Sequence, residues 1–390
     1  MGYSAERVSG FGTTVFTEIT ALANETGAVN LGQGFPDFPT PDFVKQAGIA
    51  AIQADANQYA PGSGNMRLRE AIAAKMERMY GLKTNPATDI TVTAGATEAI
   101  FAAIQGLVDP GDEVILFEPA YDSYLPAVQF AGGIPRYCTL RPPDWKVEAE
   151  ALAPLFNDKT KLILINTPHN PTGKVFTADE LALIAELCQK HDVIALTDEV
   201  YEHITYDGVV HKPLATLPGM RERTVMISSL GKTYSVTGWK VGWAVAPAEL
   251  NRAVFQVHQF VTFCGAAPMQ EAAVAALHAP DSYYHEFQQM YQANRDFLME
   301  CLDDAGLRPI PPQGAFYTMV DISRLGFEDD RAFCKWLISE VGVAAIPPAS
   351  FYHNPADGAG LARFAFCKSR ATLEEAARRL EKVRALLPVH

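Results

Sequence analysis

The chain lacks the features that would suit it to a polyanion or a lipid surface. Its 390 residues carry 32 Lys and Arg against 45 Asp and Glu, a formal net charge of −13. Such a surface repels nucleic-acid phosphates and anionic headgroups. No apolar run approaches the roughly 20 residues that a membrane-crossing helix needs. The first six residues have no basic stretch leading into an apolar one, so no signal peptide is expected. Six cysteines (Cys138, Cys188, Cys264, Cys301, Cys334 and Cys367) are scattered without a C-x-x-C pair. That spacing argues against a zinc site and for a reduced, cytoplasmic protein with no metal. There is no internal repeat and no low-complexity tract. A dinucleotide fingerprint is also missing, because the first strand-to-helix turn reads Ala94-Gly95-Ala96-Thr97-Glu98-Ala99. What remains is ordinary globular composition, 48% hydrophobic and 20% charged, in a chain long enough for two domains.

The middle of the chain alternates short β-rich runs with helical patterns. Strands are expected at 89–93, 113–117, 135–140, 162–166, 193–197, 224–228 and 242–246. Helices are expected at 97–107, 121–130 and 178–190. The last of these opens on Thr177 with Glu180 three residues on, a capping box. This rhythm implies an α/β fold with a mostly parallel seven-stranded sheet flanked by helices. Beyond about residue 280 the pattern changes to helices at 283–305, 330–341 and 372–386 with strands near 315–320 and 362–366, a smaller α+β domain. The expected division is 1–43 as an N-terminal arm with one helix and part of the small domain, 44–277 as the large domain, and 278–390 as the small C-terminal domain.

In such sheets ligands bind beyond the carboxyl ends of the strands, and several of those ends are rich in polar residues. After 224–228 come Ser229-Leu230-Gly231-Lys232-Thr233, with Lys240 close behind. A buried lysine becomes a usable amine nucleophile near neutral pH, and Ser229 with Lys240 would suit a phosphate. Small residues at Ala94-Gly95-Ala96-Thr97 open a helix whose N-terminus attracts anions. Asn170 stands in a loop made rigid by Pro168 and Pro171. Asp198 closes an apolar run and needs a cationic partner such as a protonated pyridine, with Tyr201 a short turn away. Tyr121 follows the strand 113–117 and could stack on an aromatic ring. Arg363 alternates with apolar neighbours and suits a carboxylate. Each residue alone also fits an ordinary role: a surface lysine, a capping aspartate, an Asn-Pro turn, an outward arginine. Together they are the parts that amino-acid chemistry on pyridoxal phosphate requires.

The segments Asn30-Leu31-Gly32-Gln33-Gly34-Phe35-Pro36-Asp37, Asn57-Gln58-Tyr59, Pro168-His169-Asn170-Pro171-Thr172-Gly173, Asp198-Glu199-Val200-Tyr201, Ser229-Leu230-Gly231-Lys232-Thr233 and Thr237-Gly238-Trp239-Lys240 resemble the class I aminotransferases of pyridoxal-phosphate fold type I. The branch they are most similar to contains methionine and kynurenine aminotransferases. The resemblance implies a homodimer with active sites at the subunit interface. Lys232 would hold the cofactor as a Schiff base and move protons, Asp198 would pair with the pyridine nitrogen, and Asn170 and Tyr201 would bind the 3′-oxygen. Ala96, Thr97, Ser229, Lys240 and Tyr59 of the other subunit would take the phosphate, and Tyr121 would stack on the ring. Arg363 would bind the substrate carboxylate with Asn170 and the Gly34 backbone. Phe16, Tyr59 and Phe263 would line the side-chain pocket. The implied reaction moves the amino group of methionine, aromatic amino acids or kynurenine to a 2-oxo acid by a ping-pong cycle. The alternative is a kynurenine–oxoglutarate transaminase with cysteine-conjugate β-lyase activity.

Overall fold

The computed structural model describes residues 3–387. Its centre is a seven-stranded sheet built from β1 (Ile90–Thr93), β2 (Glu113–Glu118), β3 (Ile134–Thr139), β4 (Thr160–Asn166), β5 (Ile194–Asp198), β6 (Thr224–Ser229) and β7 (Gly242–Val245). The strands lie in the order β1-β7-β6-β5-β4-β2-β3. Every neighbouring pair is parallel except those that β7 makes with β1 and β6. Both faces are covered, so the central strands read as continuous apolar runs. In β4, Leu162 and Leu164 enter one core cluster while Ile163 and Ile165 enter the cluster on the opposite face.

Helix Ala178–His191 opens on the Thr177–Glu180 capping box, as the sequence pattern implies. The helix expected from residue 121 begins only at Tyr124. Residues before it are used for a crossing to the far end of the chain, where the Ala120 N–H donates to the Phe351 carbonyl at 2.7 Å. The expected 330–341 helix is Asp330–Trp336 followed by a π-helical turn at Leu337–Val341, which ends on Gly342 at φ 85°. The last helix divides into Arg370–Leu380 and Lys382–Leu386.

A smaller α+β unit is organised around a three-stranded antiparallel sheet in which Tyr317–Asp321 lies between Arg308–Ile310 and Leu361–Ala365. The N-terminal region holds two helices, Glu6–Ser9 and Val15–Thr26, where one was expected. Val15, Ile19 and Ala23 of the second pack in the same apolar cluster as Phe316, Phe364 and Phe366. Val29–Asn30 pairs in parallel with Val343–Ala344, which lays residues 31–37 across the mouth of the large sheet. No helix among the described residues is long and apolar enough to cross a membrane.

Candidate active site

The carboxyl ends of β1, β4, β5 and β6 open into one cavity of about 390 Å3. Its walls include Ala96, Thr97, Tyr121, Asn170, Asp198, Tyr201, Ser229, Lys232 and Lys240 from the large sheet. Phe16, Gly34 and Arg363 close it from the other side. Tyr59 and Phe263 are not part of this wall. They lie outside the cavity of a single chain, both exposed, with their rings in edge contact at 5.3 Å.

Asp198 is the last residue of β5. Its Oδ2 accepts from the Tyr124 hydroxyl at 2.7 Å and its Oδ1 from the Val200 N–H at 3.3 Å. Burial pushes the carboxyl up to about 6, while the Tyr124 and Val200 hydrogen bonds and the nearby Lys232 pull the other way. This is a carboxylate short of a cation. Asn166, at the end of β4, donates to the Asp198 carbonyl at 2.9 Å and accepts from the Asn170 N–H at 2.7 Å, so adjacent strand ends hold each other in register.

Lys232 sits in the short helix Leu230–Thr233 that follows β6. Its Nζ donates to the Gly34 carbonyl at 3.0 Å and faces the rings of Tyr201 and Phe316 at 5.5 and 5.2 Å. Burial draws its ammonium down to about 8; Cys367 and Asp198 act in the opposite sense. Some of this amine is therefore neutral near pH 7, the form a nucleophile needs. The Tyr201 hydroxyl shares a hydrogen bond with Tyr317 at 3.2 Å.

The anion cradle combines helix Ala96–Leu107 with the entry to β7. Gly95 caps the helix at φ 82° without a side-chain cap, leaving first-turn N–H groups without intrahelical acceptors. A Cβ on Gly242 would lie 2.5 Å from the Gly95 carbonyl carbon and 2.7 Å from the Ala96 nitrogen, so this close approach requires glycine. Lys240, at φ 52°, reaches over the same turn; a Cβ on Gly95 would be 3.1 Å from its Nζ.

Arg363 is 1% exposed. Its Nη1 donates to Asn170 Oδ1 at 2.9 Å and its Nη2 to the Gly32 carbonyl at 2.8 Å, while Nε has no partner. The rings of Tyr317, Phe16 and Phe351 surround it at 4.2, 5.1 and 5.4 Å. A buried guanidinium with an idle N–H and only neutral acceptors is built to receive an anion.

The turn after β5 is anchored from behind. Asp198 and Tyr201 face the cavity, whereas Glu199 and Glu202 point the other way. Glu199 meets His211 Nε2 at 2.8 Å and the Thr197 hydroxyl at 2.7 Å. Glu202 accepts from Lys75 Nζ and the Ser228 hydroxyl, each at 2.6 Å, and from the Tyr80 hydroxyl. Burial opposes ionisation of Glu202, but Lys75 and the other donors outweigh it and hold the carboxyl far below the usual range.

These groups fit pyridoxal phosphate on their own chemistry: an amine nucleophile, a buried carboxylate, an N–H cradle beside Lys240, and a buried guanidinium whose Nε has no partner. The sequence reading did not single out Tyr124, Asn166, Phe35 or Tyr317, all of which line the cavity. Asn166 carried a signal, as the polar end of an apolar strand. Tyr317 carried none, because only the packing of the small sheet against the large one brings it here.

Comparison with known proteins agrees with this geometry. The family described as aminotransferase class I and II matches residues 26–380. The chain is similar to the methionine aminotransferase of Escherichia coli, with 43% identity covering 95% of this chain and 96% of that one. It is similar to human kynurenine–oxoglutarate transaminase 1, at 40% identity over 97% of each chain. Among solved structures, the N-succinyldiaminopimelate aminotransferase of Mycobacterium tuberculosis superposes with a TM-score of 0.95 at 44% identity, covering 97% of this chain and all of that one. The chain belongs to the class I and II aminotransferases, and is a pyridoxal-phosphate-dependent transaminase of fold type I.

Proposed function

We propose that this enzyme takes the amino group of methionine, aromatic amino acids or kynurenine and passes it to a 2-oxo acid in the two halves of a ping-pong cycle. The donor class rests on the cations of the cavity. Among the described residues its lysine and arginine lining groups are Lys232, Lys240 and Arg363. With Lys232 covalent and Lys240 beside the phosphate cradle, one guanidinium is left for one carboxylate. The side chain of the donor then meets Phe16, Phe35 and Tyr317, which suit thioether or aromatic groups rather than a second carboxylate.

Pyridoxal phosphate, when bound, supplies an aldehyde for the amino group and a ring that accepts electrons as the Cα–H bond breaks. The residues of the chain do the rest. Asp198 would keep the ring nitrogen protonated, and Asn170 and Tyr201 would hold the ring oxygen. Tyr121 would cover the ring face. Ala96, Thr97, Ser229 and Lys240 would bind the phosphate. Arg363, with Asn170 and the Gly34 backbone, orients the donor by its carboxylate. Lys232 carries a proton to and from the donor Cα, and its amine near neutrality suits both directions. We assign the protein to the cytoplasm as a homodimer. Support for the dimer comes from the exposed rings of Tyr59, Phe260 and Phe263, the first and last in edge contact; Tyr59 of a second copy would reach the phosphate and Phe263 the side-chain pocket.

A donor panel tests the assignment. Absorbance of the lysine-bound cofactor is followed in single turnovers without acceptor. Methionine, phenylalanine and kynurenine should convert it faster than aspartate, glutamate or N-succinyldiaminopimelate, the compound for which the mycobacterial relative is named. The reverse order overturns the donor assignment.

A further inference from the structure

Residues 32–35 form a backbone strap across the cavity, and their four carbonyls are gripped one after another by side chains. Arg363 Nη2 donates to Gly32 O at 2.8 Å, Cys367 Sγ to Gln33 O at 3.9 Å, Lys232 Nζ to Gly34 O at 3.0 Å and Lys368 Nζ to Phe35 O at 2.8 Å. The grip on Gly34 is temporary in a working enzyme, because an Nζ committed to the cofactor cannot also donate to that carbonyl. Cys367 contributes only a long sulfur contact. Lys368 alone holds the cavity end of the strap without having other chemistry to do.

Lys368 is itself unexplained by the fold. It is 4% exposed, and among the described residues no carboxylate lies within ion-pair distance of it. Its ammonium touches only the Phe35 carbonyl and the face of the Phe35 ring at 4.6 Å. An unpaired buried ammonium is costly, and an apolar side chain would fill the space more stably. The lysine is also well braced. Its carbonyl accepts from Asn294 Nδ2 at 2.9 Å, and the next residue donates its N–H to Asp37. Next to Phe35, Gly34 packs so closely that an added Cβ would overlap the Tyr317 hydroxyl. A small slip of the strap would therefore change the space beside Arg363.

We propose that Lys368 is a positioning residue for the substrate carboxylate. It keeps Gly34 and Phe35 in place when Lys232 leaves the Gly34 carbonyl, and it acts through the strap without touching the reacting atoms. This rests on the reading of Arg363 as the carboxylate site. The test compares wild type with Lys368→Met, which keeps the aliphatic stem, and Lys368→Arg, which keeps the charge. Amide hydrogen exchange of residues 32–35 is measured in cofactor-loaded and cofactor-free protein. Turnover is measured with whichever amino donor the wild type uses best, since every donor brings the same α-carboxylate. In Lys368→Met, exchange in the strap should rise about tenfold or more in the loaded protein and less in the free one, as expected for losing a charged hydrogen bond. KM for the donor should rise by a similar factor with kcat nearly unchanged, and Lys368→Arg should restore most of both. An unaltered strap, an unaltered KM, or exchange that rises alike throughout the protein overturns the proposal. If the donor panel fails instead, the exchange result in the strap still stands or falls separately.

Discussion

Lys75→Met is the substitution whose effect the structure defines most closely. Lys75 and Glu202 are buried at 3% and 7% exposure, with their charged atoms 2.6 Å apart. Removing one partner of such a pair leaves the other as an uncompensated charge and costs about 3–5 kcal/mol. Glu202 would still keep the Ser228 and Tyr80 hydroxyls, so the lower end, about 3 kcal/mol, is expected. Glu202→Gln strands the ammonium and should cost about as much. The double variant removes both charges, and its loss should fall at or below that of either single one, far short of their sum. The assay is urea unfolding of cofactor-free protein at pH 7 and fixed protomer concentration, with the slope checked for constancy. Lys75 holds the Glu202 carboxyl below its ordinary range. The ion pair's contribution is therefore fully present above the ordinary carboxylate pKa and is lost only as pH falls well below it. The pH 7 measurement captures all of it. Losses that simply add, or singles within about 0.5 kcal/mol of wild type, refute the argument.

Arg363→Lys keeps the charge but loses the fork, so kcat/KM should fall about 10- to 100-fold, while stability of the cofactor-free protein stays close to wild type; an unchanged kcat/KM contradicts the carboxylate role. His169 and His203 are held down to about 3 by burial. The unfolded chain protonates them below about pH 6.5 and the folded chain does not, so their contribution is present above that pH and lost as pH falls. His203→Gln should flatten the decline between pH 6 and 4 by about 1.4 kcal/mol per pH unit, read from unfolding midpoints; an unchanged slope refutes the assignment. Gly242→Ala forces a methyl group against the Gly95–Ala96 backbone and should weaken cofactor affinity about tenfold or more, measured by titrating cofactor-free protein; unchanged affinity would refute the fit of the cradle.

Most of the large sheet was legible because its central strands, β2, β4, β5 and β6, are short apolar runs buried on both faces, each ending on a polar or charged residue. Asp198 closing β5 and Lys232 following β6 stand out for that reason. The bounds shifted where tertiary contacts intervene, as at residues 119–123, which reach Phe351 before the helix can start. The reversal of β7 was not readable, since strand direction leaves no mark on an apolar run of four residues. Arg363 could be read only as one charge in an apolar strand. That its Nε is idle and its face boxed by three rings depends on elements from both ends of the chain. Tyr317 and Lys368 were silent for the same reason: their meaning lies in what residues 32–35 do above them. Tyr59 and Phe263 are exposed in one chain, and the role proposed for them needs a second copy.

The contact between Gly95 and Gly242 also has a consequence for how the protein matures. It joins the turn after the first strand of the large sheet to the start of the last, backbone against backbone, and the five strands between them in sequence all lie on the far side of β7. So non-local a contact forms late, after loop closure across most of the large sheet. A growing or partly folded chain can display Lys232 or Asp198 but has no cradle until β7 has inserted beside β1. A sheet in which β7 has not closed against β1 therefore lacks the place proposed for the phosphate.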